Sequence, residues 1–70
     1  VRLFDRYPEL RGVVVNTRSG QGFRGVLWRR RHGYLVLRNA EMLRPGAEAV
    51  SVDGEVVIPA ENVEFIQVVS

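Results

Sequence analysis

Glycine and proline recur at such short intervals in this chain that a helical period has room to develop only at its start. The signals Ser19-Gly20-Gln21-Gly22, His32-Gly33, Pro45-Gly46, Asp53-Gly54 and Pro59 cut the sequence into short apolar runs, a spacing that points to a small all-β fold. Gly12 to Arg18 is β-branched and extended, and Gly20 lies where the first reversal needs a residue free of Cβ constraints. Phe23 to Arg31 alternates Phe23, Gly25 and Leu27 against Arg24, Val26 and Trp28. A glycine inside a strand marks a sharp bend or a close backbone approach, so Gly25 is expected to curl the sheet. After the two-residue turn His32-Gly33, Tyr34 to Asn39 sets Leu35 and Leu37 against Tyr34, Val36 and Arg38, and Ala40 to Gly46 reads as a loop. Ala47 to Ile58 is strand-like except at Asp53-Gly54, which taken locally is a hairpin turn. Pro59 to Asn62 breaks the ladder and fits one turn of 3₁₀ helix, leaving Val63 to Val69 as the last strand. At the opening, Leu3, Phe4 and Tyr7 fit one face of a short helix before Pro8, the reading taken here, although Val1, Leu3 and Asp5 also alternate.

A chain of 70 residues amounts to one domain, residues 1 to 70, and buries a smaller share of its surface than a larger protein does. It has no cysteine and a single histidine, His32, so neither a disulfide nor a cluster of thiolates and imidazoles can staple it, and small scaffolds of this kind lean on oligomerisation. The same inventory argues against catalysis, because no nucleophile has an evident base partner and no phosphate loop or metal-ligand spacing occurs. We expect a non-enzyme with no cofactor and no metal. No apolar run approaches the length of a membrane span, and the first residues lack the regions of a signal peptide; the expectation is a soluble, cytoplasmic protein with no membrane partner. The opening valine leaves room for a preceding leader.

Charge is unevenly placed. Residues 1–38 carry nine arginines against Asp5 and Glu9, a net of +7, whereas residues 39–70 carry Arg44 against six carboxylates, a net of −5. If the two halves occupied different faces the protein would be electrostatically two-sided. Every cation is arginine, the side chain that grips phosphate or carboxylate in a bidentate fork and stacks on flat groups; that suits nucleic acid and a subunit interface equally.

The string Ser19-Gly20-Gln21-Gly22-Phe23-Arg24-Gly25-Val26-Leu27, followed by Leu35-Val36-Leu37-Arg38-Asn39-Ala40-Glu41, resembles the first motif of Sm-like proteins. Gly54-Glu55-Val56-Val57-Ile58-Pro59-Ala60-Glu61-Asn62-Val63-Glu64-Phe65-Ile66 is similar to the second. The resemblance implies a strongly bent five-stranded antiparallel barrel, SH3-like or Sm-like, with a short N-terminal helix. It also implies a homo-oligomeric ring in which strand four of one subunit pairs with strand five of the next, which removes the exposed edges. In that frame Gly54 belongs to a bulge within one long fourth strand, in place of the hairpin, and Pro59 to the turn before the last strand.

In such proteins the nucleotide is held by the loop between strands two and three and by an Arg-Gly in the second motif. Here the loop is Arg29-Arg30-Arg31-His32-Gly33-Tyr34, with Tyr34 or Leu35 where the family has asparagine and Pro59-Ala60 where it has Arg-Gly. What remains suits single-stranded RNA bound with little regard to sequence: His32 and Tyr34 to stack, and Arg29, Arg30 and Arg31 to track phosphates. A charge run at a strand end is also commonly just solvated, and Trp28 and Tyr34 also suit packing or an interface. The leading expectation is thus a ring-forming, non-enzymatic single-stranded RNA binder. The alternatives are a structural ring, for example a viral assembly component, with no nucleic-acid ligand, and a monomeric adaptor adding a peptide strand to an open edge.

Overall fold

A computed structural model describes residues 10–69; the short helix expected over Val1 to Tyr7 lies outside them. Five strands follow in order: β1 (Gly12–Thr17), β2 (Gly22–Arg31), β3 (Tyr34–Leu43), β4 (Val50–Pro59) and β5 (Val63–Val68), with a 3₁₀ turn, Ala60–Asn62, between the last two. They form one antiparallel sheet in the order β4-β3-β2-β1-β5. Strands β4 and β5 are therefore its two edges, and among the described residues neither edge is paired with the other.

Alternation decides which side chains go inside. In β1, Val13, Val15 and Thr17 are buried while Val14 and Asn16 are not, as a period of two requires. Val13, Val15, Leu27, Leu35, Leu37, Ala40 and Ile58 make up the core, with Phe23, Val56, Val63 and Ile66 packed against it. Among the described residues Thr17 is the buried polar one, and its hydroxyl is satisfied: Thr17 Oγ1 donates to Gln21 O (2.7 Å), accepts from Gln21 N (3.2 Å) and meets Ser19 Oγ at 3.0 Å. Those contacts clamp the β1–β2 turn, where Gly20 sits at φ 93°.

The sheet bends along a crease that crosses three strands. In β2 and β3 the pairing jumps from Arg24↔Glu41 to Val26↔Arg38, so Gly25 faces Asn39 and Ala40. In β3 and β4 it jumps from Arg38↔Glu55 to Ala40↔Val52, so Asn39 faces Asp53 and Gly54. Two residues opposite one constitute a bulge, which sharpens the local twist. Gly25 is required there by proximity: a Cβ on it would lie 2.9 Å from Arg38 O and 3.1 Å from Ala40 Cα. Asp53-Gly54 is thus a bulge inside a continuous β4, as the family resemblance implied and the local reading did not.

Two boundaries differ from the sequence reading. Strand β3 runs on through Ala40 to Leu43, which had read as loop, because Ala40 falls on the core side opposite Val52, and Arg24 Nη1 meets Glu41 Oε1 at 3.2 Å across the pair. Strand β4 starts at Val50, later than the expected Ala47, because the chain first turns through Gly46 at φ 71° with Ala47 N donating to Arg44 O at 3.3 Å.

Candidate nucleic-acid interface

At one end of the sheet β2 and β3 pair as far as Arg31↔Tyr34, leaving His32 and Gly33 alone as the turn. Both have positive φ, 43° and 83°, the pattern of a type I′ turn, whose twist matches that of the flanking strands. The expected six-residue loop therefore shrinks to two residues. Its arginines belong to a strand, and strand parity separates them. Arg29 and Arg31 share the outer face with Tyr34 and Val36, whereas Arg30 lies opposite the buried Leu35 on the core side. Asn-Gly is the preferred pair in such a turn, so His32→Asn should keep or slightly raise stability, by about 0.5 kcal/mol. A urea midpoint lower than that of the parent would contradict this, and a loss of RNA affinity in the same variant would isolate the imidazole's own contribution.

The turn is tied to the segment that follows β4. Tyr34 pairs with Pro59, and Ala60 N donates to Gly33 O at 2.7 Å. Arg18 N donates to Asn62 O at 2.8 Å on the other side. The fold thus brings together the two segments that the resemblance linked to the nucleotide, with His32, Gly33 and Tyr34 beside Pro59 and Ala60.

The arginines are not equally available. Arg38 Nε and Nη2 lie 3.0 and 2.9 Å from Glu55 Oε2, and its guanidinium sits 4.1 Å above the centroid of the Trp28 ring. Arg24 is paired with Glu41, and Arg18 Nε donates to Glu61 O at 3.1 Å. Two carboxylates of the second half, Glu41 and Glu55, thus neutralise Arg24 and Arg38 of the first half. In the sheet order the second-half strands β4 and β5 flank β1, β2 and β3 at the two edges. Arg29 and Arg31 are exposed, and neither has an ion-pair or hydrogen-bond partner for its side chain among the described residues.

Beside them lies a shallow groove of about 350 Å³ lined by Arg31, His32, Tyr34, Val36, Glu55 and Val57. Val36 is 6% exposed at its floor and Tyr34 is 46% exposed on its wall. Sequence reading missed Val57 and Glu55 as part of this surface. Their signal was present only in the register that sets them opposite Val36 and Arg38. Trp28 was read as a packing or interface residue. It is the extra residue of a second bulge, between the pairs Leu27↔Leu37 and Arg29↔Val36, and its ring serves as the platform for Arg38. The arrangement offers the guanidinium groups of Arg29 and Arg31 and the exposed rings of His32 and Tyr34 to a chain of phosphates and bases, and among the described residues no group of three or more His, Asp or Glu side chains is placed to hold a metal.

Solved structures of similar shape are Sm proteins. A heptameric archaeal Sm protein superposes with a TM-score of 0.75 at 31% identity, covering 87% of this chain and 88% of the other. The SmAP1 heptamer of P. aerophilum gives 0.75 and 31%, over 87% and 81%. The Sm protein of Pyrococcus abyssii, solved in complex with a uridine heptamer, gives 0.81 and 32%, over 99% and 100%. No family model and no curated protein matches the chain. Among the described residues no helix is long and apolar enough to cross a membrane.

Proposed function

The chain belongs to the Sm protein family, and from that premise we propose that it forms a closed homo-oligomeric ring and binds single-stranded RNA without catalysing a reaction. The observation that carries this reading is the agreement, over 99% of this chain and 100% of the other, with a protein solved in complex with a uridine heptamer. The open edges of β4 and β5 support the ring, because a strand edge left unpaired invites another copy and a head-to-tail contact closes into a ring when its rotation allows. Two neighbours are heptamers, so seven copies is the expected count here. Arg29 and Arg31 meet the phosphates, Tyr34 and His32 stack on the bases, and repetition around the ring multiplies a modest contact into useful affinity.

The second reading, a structural ring without nucleic acid, is favoured by one observation. Pro59 and Ala60 occupy the segment beside the turn and bring no side-chain donor to it. Native mass spectrometry with and without a heptauridine separates the two. A ring whose mass rises by one oligonucleotide is the expected result. An unshifted ring would transfer the assignment to the structural role, and a monomer would remove both.

A further inference from the structure

Resting on the RNA-binding reading above, we propose that the outer-face groove prefers guanine to uracil. The Glu55 carboxylate accepts hydrogen bonds from the Watson–Crick edge of a base stacked on Tyr34.

Glu55 lines the groove together with Arg31, His32, Tyr34, Val36 and Val57. Arg38 Nε and Nη2 approach it at 3.0 and 2.9 Å, and both reach the same oxygen, Oε2. Oε1 thus keeps its lone pairs for a ligand. Arg38 is itself held 4.1 Å above the Trp28 ring, so the group that orients the carboxylate is fixed from its other side. An acceptor placed before the ligand arrives needs less ordering on binding. The charge of Arg38 also offsets that of Glu55, which lessens its repulsion of the phosphates that Arg29 and Arg31 meet.

The register sets the acceptor beside the ring. Tyr34 pairs with Pro59, Val36 with Val57 and Arg38 with Glu55, three successive rows on the outer face, each about 7 Å from the next. Tyr34 is 46% and Val57 53% exposed. A base stacked on Tyr34 and resting over Val57 therefore has Glu55 next along β4, where its edge projects. No Asn or Gln lines the groove, so no amide offers a donor and an acceptor side by side to uracil, whose edge is one N–H between two carbonyls. Against a carboxylate those carbonyls are repelled. Adenine and cytosine set an unprotonated ring nitrogen beside their amino group, which turns a lone pair on the same oxygen. Guanine alone presents two adjacent donors, N1–H and the 2-amino group, to an acceptor-only partner.

Fluorescence anisotropy with labelled heptamers tests this, the central residue of a heptauridine being replaced in turn by guanosine, inosine or adenosine. The guanosine heptamer should bind the unmodified chain about tenfold more tightly than heptauridine, the worth of a hydrogen bond to a charged group. Inosine, which lacks the 2-amino group, should fall between the two, and adenosine should gain little. In Glu55→Ala the ratio of the guanosine to the uridine binding constant should fall to about one. Arg38 and Glu55 are 45% and 44% exposed, so the chain should fold without their pair, and the inosine comparison needs no variant at all. Equal affinity for the guanosine and uridine heptamers would overturn the guanine preference and leave RNA binding standing. A gain that adenosine or inosine matches in full would reduce it to purine stacking, and a ratio that survives in Glu55→Ala would take the carboxylate out of it; either result overturns the proposal. Failure of every heptamer to bind would remove the RNA-binding reading together with it.

Discussion

A Gly25→Ala variant is expected to lose about 3 kcal/mol of stability, more than half of what a domain of this size possesses. The added Cβ would lie 2.9 Å from Arg38 O and 3.1 Å from Ala40 Cα, and both belong to the backbone of β3, which cannot swing aside as a flexible side chain can. Inserting a methyl group into a close-packed site costs about 1–3 kcal/mol, and this site is at the upper end because the strand itself must move. A domain of this size has only of order 5 kcal/mol in total. Gly46→Ala makes the contrast. Gly46 has nothing within 4 Å of an added Cβ and only its φ of 71° to strain, a cost of about 1 kcal/mol. Urea midpoints followed by circular dichroism check both. Equal midpoints for the two variants would mean that the approach of β3 to Gly25 is not what the bend depends on.

RNA affinity should depend steeply on salt. If each of seven copies neutralises one phosphate of a heptauridine through Arg29 or Arg31, the logarithm of the binding constant falls with the logarithm of salt at a slope of about −5, taking roughly 0.7 per phosphate for a single strand. Between about 50 and 200 mM salt that is a loss of about a thousandfold. The Arg29→Ala/Arg31→Ala variant should bind more weakly at low salt and show a nearly flat dependence. Its fold should persist, because both side chains are exposed and neither has a partner among the described residues. Fluorescence anisotropy of a labelled heptauridine across a salt series measures both slopes. A steep slope that survives in the double variant would place the phosphate contacts elsewhere.

Much of the fold could be read from local chemistry. Gly20, His32-Gly33 and Pro59 mark reversals because their backbone needs are strong and local, and the alternation of Leu35 and Leu37 is decided by burial alone. The Asp53-Gly54 bulge could not be read that way. The same dipeptide makes a tight hairpin when the flanking strands pair with each other, and here both flanks pair with β3. The candidate site was legible as a composition and not as a geometry. Three consecutive arginines look like one patch, yet an unbroken ladder sends Arg30 to the side opposite Arg29 and Arg31. The extra residue at Trp28 that sets this parity has no signature of its own. Likewise the partnership of Arg38 with both Trp28 and Glu55, which withdraws one cation from the surface, joins residues from three strands and emerges only once the register is known.

The crease through Gly25, Asn39 and Asp53-Gly54 governs more than the shape of one subunit. In a head-to-tail assembly the rotation from each copy to the next equals the angle between the edge a subunit offers and the edge it accepts. In the proposed ring those edges are β5 and β4, and the crease runs from β4 through β3 to β2, between one edge and the other. The contact between copies can then stay chemically the same while its repetition closes after fewer subunits, closes after more, or winds into an open spiral. Copy number is a property of curvature inside the protomer, and its signature is a changed count, or a filament, from a chain whose two edge strands are untouched.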